Sequence, residues 1–250
     1  MKALFWLGLL LLAGCAREGH PETRLVQMAE PENAVPGVGK LILRGDAGLF
    51  GRTGQATGAI IDAHHLMTAA HNLIHPELGA LKAVEVEYGD ERFPIDRSSA
   101  EDPSWAVSSL YRTRAATGSH EMSDEALVRH DFAFLKSNLR MTKVRLFRLT
   151  PEMASGIRVG DEVQVAGFPG GETIRKASGR VTVVSGNLFG YGVRTGKGLS
   201  GAPVWIERGG AKFLVGIHVG SDLAGIEGAV ARRVDDELIR EFRRWVLSRE

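Results

Sequence analysis

The chain has 250 residues, 44% of them hydrophobic, which is material for one sizeable core or two small ones. Lys and Arg number 31 against 30 Asp and Glu, a formal net charge of +1 with one lysine in the N-terminal leader, so the body of the chain is near neutral. That balance argues against nucleic acid as a partner, because a phosphate backbone is held by a surplus of clustered cations.

Residues 1–15 begin Met1-Lys2, continue through an apolar stretch from Ala3 to Leu12, and end in Ala13-Gly14-Cys15. A basic start, a short apolar run and small residues describe a secretory signal, and the run is short for a membrane span. Leu12-Ala13-Gly14-Cys15 resembles the bacterial lipoprotein box, which implies cleavage after residue 14 and lipidation of Cys15. Cys15 is the only cysteine, so it has no disulfide partner within the chain. An ordinary signal with a chance cysteine is the competing reading. Two or three acyl chains, at about 0.8 kcal/mol per buried CH₂, would hold the protein on a membrane. By the same resemblance, Ala16 is not the aspartate that retains such proteins at the inner membrane. The expected location is therefore the outer membrane, facing the periplasm. Residues 15–37 form the lipidated cysteine and a polar tether, with Pro21, Pro31 and Pro36 and no aromatic residue. As a flexible coil its last 22 residues would span about 25 Å. A short cleaved propeptide is the alternative.

From residue 38 helical periodicity is scarce, and glycine or turn signals recur about every ten residues, which predicts an all-β body. Val38 to Leu43 reads as a strand, Gly45-Asp46-Ala47-Gly48 as a turn, and Val84 to Tyr88 as an alternating strand. Arg97 to Arg129 carries little pattern and reads as loops. Thr150 to Val159 reads as a linker. Asp161 to Phe168 and Gly179 to Val184 read as strands, and Pro203–Arg208 with Lys212–Val219 as a hairpin across Gly209-Gly210. Asp235 is placed to cap a helix whose apolar residues Leu238, Ile239, Phe242, Trp245 and Val246 share one face, expected to pack on the second half of the body.

The stretch from Arg194 to Pro203 organises the rest. Its glycines let the backbone turn tightly and bring N–H groups close to a ligand. Ser200 is the candidate nucleophile, and the amides of Gly198 and Ser200 are placed to aim at one point, as an oxyanion hole requires. A serine hydroxyl needs a base within reach, and the base needs a group that holds its tautomer. His71, after the small residues Ala69 and Ala70 at the end of a short apolar run, is the candidate base. Asp131, which opens the run Phe132-Ala133-Phe134-Leu135, is the candidate third member, expected half-buried at a strand mouth. Asp124 is its competitor, and His130 reads as a surface neighbour.

Thr68-Ala69-Ala70-His71, Asp131-Phe132-Ala133-Phe134-Leu135 and Gly198-Leu199-Ser200-Gly201-Ala202-Pro203, in that order, resemble the three signature segments of the trypsin/chymotrypsin-like serine proteases. Val165 to Gly170, Ser178 to Val181 and Val215 to Gly220 look most like the bacterial glutamyl-endopeptidase branch. The resemblance covers roughly residues 38 to 234. It implies two Greek-key antiparallel β-barrels, the first over 38–150 and the second, with the C-terminal helix, over 151–250. It also favours Asp131 over Asp124. It implies a serine endopeptidase acting on proteins or peptides through an acyl-enzyme, with no metal or organic cofactor. Thr195 and His218 match the branch positions that line the pocket for the residue before the scissile bond, which implies cleavage after Glu, with Asp second. Against this, that branch also uses its free mature N-terminus near the pocket, which an acylated Cys15 could not supply. The chain ends just after the closing helix, so no appended peptide-binding domain is expected. A catalytically inactive peptide-binding relative in the envelope is the alternative.

One departure stands out. The residue before the nucleophile is usually aspartate in trypsin-like enzymes and often asparagine in the bacterial branch; here it is Leu199. Leucine cannot ion-pair with a freed α-amino group, so the loop must be held in another way or be less rigid.

Overall fold

The computed structural model describes residues 35–48, 51–95, 104–117, 124–138, 140–141 and 147–248. The leader, Cys15 and most of the tether lie outside the described residues.

The first half of the body contains β1 (Val38–Gly45), β2 (Arg52–Ile60), β3 (His65–Thr68), a 3₁₀ turn at Ala70–Asn72, β4 (Leu81–Tyr88), β5 (Glu91–Ile95), β6 (Trp105–Val107), α1 (Ser109–Ala116), α2 (Glu125–Arg129) and β7 (Ala133–Lys136). Its strands pair in the order β5-β4-β1-β2-β3-β7-β6, all antiparallel. The chain crosses from β3 to the far side of β1 before returning through β6 and β7. Alternation specifies the inward face: in β4, Val84 and Val86 are buried, while Glu85 and Glu87, which alternate with them, are half-buried. Pro94 lies in the edge strand β5, where a missing N–H costs no ladder bond.

The second half contains β8 (Arg148–Leu149), α3 (Pro151–Ser155), β9 (Glu162–Gly167), β10 (Arg175–Ser185), β11 (Leu188–Tyr191), β12 (Pro203–Arg208), β13 (Ala211–Leu223), β14 (Ile226–Arg233) and α4 (Asp236–Leu247). Here β9, β10, β11, β14, β13 and β12 pair in sequence, and β12 also pairs with β9, so six strands close on themselves. The body is thus all-β in two sheets, the second a closed ring and the first a half-barrel. One apolar cluster fills the second sheet and continues through Val38, Met67 and Phe134 of the first. A second cluster fills the first sheet. The two halves meet across buried apolar surface, and the candidate site lies at that seam.

Two expectations need correction and a third needs extending. The stretch from Arg97 to Arg129 holds α1 and α2 as well as β6. Its helical signal is faint because α1 buries only Tyr111 and Ala115, and α2 has five residues. Thr150 to Val159 contains the short helix α3, which starts on Pro151, where the missing N–H is no loss. Helix α4 forms with Asp235 as its cap, the carboxylate accepting from the Leu238 N–H at 3.0 Å. However, its aromatic residues reach the first sheet: Trp245 stacks on Phe134 at 5.8 Å between centroids, and Phe242 lies 5.2 Å from the same ring. The His65 ring meets both edge-on at 5.6 Å. A 3-4 spacing reveals that a face is buried, and says nothing of which surface covers it.

Candidate active site

His71 stands in the 3₁₀ turn that ends β3. Ala69 and Ala70 are fully buried, so the turn packs closely because neither residue carries a bulky side chain. Asp131 lies between α2 and β7 and is fully buried, deeper than the half-buried position expected. Its Oδ2 is 2.6 Å from His71 Nδ1, and its Oδ1 accepts the His71 backbone N–H at 2.9 Å. One carboxylate therefore fixes both the ring and the backbone of the histidine. It also assigns the tautomer, with Nδ1 protonated toward Asp131 and Nε2 left as the acceptor. Burial disfavours the charged imidazole, but the Asp131 charge and hydrogen bond together outweigh it. The His71 pKa is thus held above its ordinary value of 6.5.

The chain on either side of Asp131 is held from the second sheet. Fully buried Arg232 donates from Nε to the Arg129 carbonyl at 2.6 Å, and Asn187 Nδ2 donates to the same oxygen at 3.2 Å. Arg232 also lies over the Phe132 ring, 5.3 Å from its centroid, and pairs with Asp235 at 2.8 Å. Asp124 is elsewhere engaged: it accepts the Ala126 N–H at 2.9 Å as the cap of α2 and pairs with Arg114 at 2.8 Å. His130 is half-buried, 3.7 Å from Glu237, and not the surface residue expected.

Ser200 and His71 line one cavity, together with Gly198. The loop carrying Ser200 is anchored at each peptide. The Lys197 carbonyl accepts from Gly170 N–H at 2.7 Å. Because a trans peptide points C=O and N–H in opposite directions, the Gly198 N–H faces away from Gly170. The Gly198 carbonyl accepts from Thr57 Oγ1 at 2.8 Å, and that hydroxyl in turn accepts from Phe168 N–H at 3.1 Å. The Ser200 carbonyl accepts from Thr57 N–H at 2.9 Å and from Asn72 Nδ2 at 3.1 Å. Gly198 has φ of +93°, and a Cβ there would lie 2.3 Å from the Phe168 carbonyl oxygen. At Gly201, φ is +85° and a Cβ would lie 2.1 Å from both the Thr57 oxygen and Thr68 Oγ1. Both positions exclude any other residue.

Leu199 is fully buried in the cluster that fills the second sheet. Its apolar side chain replaces an ion pair as the anchor of the loop, and Thr57 supplies the polar half. Sequence reasoning missed Thr57, Asn72 and Arg232 as members of the site. Ala56-Thr57-Gly58 has no distinctive spacing, and the partner of Thr57 lies 141 residues away. Asn72 directly follows His71, which was the one available signal.

Thr195 is half-buried, and His218 is 2% exposed. His218 Nδ1 lies 2.9 Å from the hydroxyl of buried Tyr191. Burial, then the charge of nearby His71, push the His218 pKa down to about 3 against a weaker opposing backbone hydrogen bond at Val230. Unliganded, it is neutral. Neither Thr195 nor His218 is among the residues lining the cavity beside Ser200.

Residues 56–217 match the trypsin-like peptidase domain family. The chain belongs to that family. Among solved structures, a Glu endopeptidase in complex with MPD superposes with a TM-score of 0.61 at 15% identity, over 86% of this chain and 94% of that one. The protease Anisep from Arthrobacter nicotinovorans superposes with a TM-score of 0.60 at 14% identity, over 86% and 97%. At these identities the likeness is one of fold. No curated protein matches the sequence. Among the described residues, no group of His, Cys, Asp and Glu is placed to hold a metal ion, and no helix is long and apolar enough to cross a membrane.

Proposed function

We propose that this chain is a serine endopeptidase with His71, Asp131 and Ser200 as its triad. The observation that carries the reading is the 2.6 Å pairing of His71 Nδ1 with buried Asp131, which leaves Nε2 as a base in the cavity that Ser200 lines. His71 takes the hydroxyl proton as Ser200 Oγ bonds to the substrate carbonyl carbon. The Gly198 and Ser200 N–H groups stabilise the oxyanion. His71 then gives its proton to the leaving amine as the C–N bond breaks. Water, deprotonated by His71, releases the acyl group and restores Ser200.

We assign cleavage after Glu, with Asp second, to Thr195 and His218. A carboxylate brought to the neutral, buried imidazole would raise its pKa and draw a proton onto it, forming an ion pair that uncharged substrates cannot offer. Peptides differing only at that residue test this, and preference for Phe or Arg over Glu refutes it. The protein is further proposed to sit in the bacterial envelope, facing the periplasm of the outer membrane and held there through lipidated Cys15. Mass spectrometry of the mature N-terminus tests the lipidation, and separation of inner from outer membranes tests the location.

The catalytic reading is tested with a fluorophosphonate probe on the folded mature protein. An adduct on Ser200 that is lost in His71→Ala is expected. No adduct would overturn the reading in favour of an inactive peptide-binding relative.

A further inference from the structure

The cleft beside His71 opens into a cavity of about 470 Å³. Neither Thr195 nor His218 lines it. Its walls are the first residues of β2, the segment that follows His71, and the Lys197-Gly198 corner. If His71 donates its proton to the leaving amine, as proposed above, the residues after the scissile bond depart on this side. The cavity is therefore placed to receive them.

Strand β2 presents a free edge here. Thr57 sends its N–H to Ser200 and its carbonyl accepts from Thr68, so both point away from β1. The β1–β2 register runs without a shift, from Val38 opposite Ala59 to Gly45 opposite Arg52. The N–H and C=O of Gln55, two residues before Thr57, consequently point the same way. Strand β3 pairs with β2 only at Ala59 and Ile60, leaving that edge uncovered by β3 at Gln55. An extended peptide can add to it by main-chain hydrogen bonds, with alternate side chains entering the cavity.

The lining selects what enters. Leu43 and Leu78 are buried in it, and Arg52 and Lys197 are exposed cations. Among the described residues, neither cationic side chain has a hydrogen bond or an ion pair. Glu77 is the one carboxylate in the lining. Two unpaired cations against one acid give the cavity a net preference for negative charge.

We propose that this cavity is a leaving-side subsite that prefers an acidic side chain within the first two residues after the scissile bond, with Arg52 and Lys197 as its specificity-determining residues. The inference rests on the endopeptidase reading, and the experiment separates the two. Internally quenched peptides share the residues before the bond and carry Glu-Glu, Ala-Ala or Lys-Lys after it. The rate is taken only from the product cut at that bond, read by mass spectrometry, because each added Glu is itself a proposed cleavage point. The expected order of kcat/KM is acidic, then neutral, then basic, with about tenfold between the extremes at low salt, as for two exposed ion pairs. The spread shrinks as salt rises. In Arg52→Glu the acidic-to-basic ratio should fall below that of the unaltered protein; taking the ratio within each protein cancels any change in overall rate. Labelling of Ser200 with a flat or basic leaving-side preference overturns the subsite and leaves the endopeptidase standing. An unchanged ratio in Arg52→Glu removes Arg52 from it. Absence of both labelling and cleavage overturns both.

Discussion

Thr57→Val is the substitution that separates a loop held by chance packing from one held by design. Valine keeps the shape and β-branching of threonine and removes one hydroxyl. That hydroxyl is fully buried, donates to the Gly198 carbonyl at 2.8 Å and accepts from Phe168 N–H at 3.1 Å. Its loss orphans two part-buried backbone groups, each costing up to about 1–3 kcal/mol and not strictly additive. For a chain of this size, each kcal/mol lowers the melting temperature by about 2–4 °C. The functional effect is separate. Removing an oxyanion donor outright costs about 10²–10³ in kcat. Here the Gly198 N–H is still present and its peptide is still tied to Gly170, so a loss of about 10- to 100-fold is expected, from kcat with KM little changed. A peptide aldehyde, whose adduct places an oxyanion between the Gly198 and Ser200 amides, should weaken by a similar factor. Thr57→Ser keeps the hydroxyl and should recover most of both losses. Steady-state kinetics on one peptide, with thermal unfolding of the same samples, is the assay. Wild-type kcat and aldehyde affinity in Thr57→Val would refute the clamp, whatever happened to stability.

Three further substitutions probe the site. Asp131→Asn removes the charge and the acceptor that set the His71 tautomer, and should lower kcat by about 10⁴. With Asp131 present, the raised His71 pKa puts the acid limb of kcat/KM above 6.5, since only the neutral ring accepts a proton; the variant's limb, read from its pH–rate profile, should move down. The same shift has a sign for stability: a raised folded-state pKa contributes fully below the unfolded value and is lost as pH rises through the folded one, which unfolding across that window checks. Leu199→Asp puts an unpaired carboxylate into a fully buried apolar site and should cost about 3–5 kcal/mol by denaturant unfolding. Arg232→Met removes the donor to the Arg129 carbonyl and strands Asp235, which is partly exposed; about 2–3 kcal/mol of lost stability is expected. A lowered acid limb in that variant would mark Arg232 as a positioning residue for Asp131, and an unchanged limb would mark it as structural.

What the sequence discloses follows the range of the interaction. The all-β class, most strands and the Asp235 cap are set by local period and by side chains within three residues, and they are legible. His71, Asp131 and Ser200 sit 60 and 69 residues apart in the chain, yet each carries a local mark: small residues before the histidine, an apolar run after the aspartate, glycines around the serine. Thr57 and Arg232 carry none. Their roles exist only once β2 lies beside the Ser200 loop and β14 beside α2. The second surface of α4 is hidden for the same reason: besides the second-sheet core that takes Leu238 and Ile239, Phe134 and His65 become its partners only after the chain folds back over the first half.

Leu199 looks like a defect in the sequence and is resolved by the fold. An aspartate at this position would be a buried charge in need of a cationic partner. A leucine needs only an apolar pocket, which exists as soon as the second sheet closes around it. The entropy of fixing the loop is then met by folding itself, through Leu199 burial, the Thr57 hydroxyl and the Gly170 amide. Nothing in that set depends on a free N-terminus. The proposed acylation of Cys15 would block the N-terminal amine, and a loop anchored by leucine is indifferent to it. An N-terminal extension of any length, or a tether left uncut, should therefore leave Ser200 labelling at the same rate. A labelling rate that rose on removal of residues 16–34 would mean that the loop is not assembled by the body alone, and would count against Leu199 and Thr57 as its sole anchors.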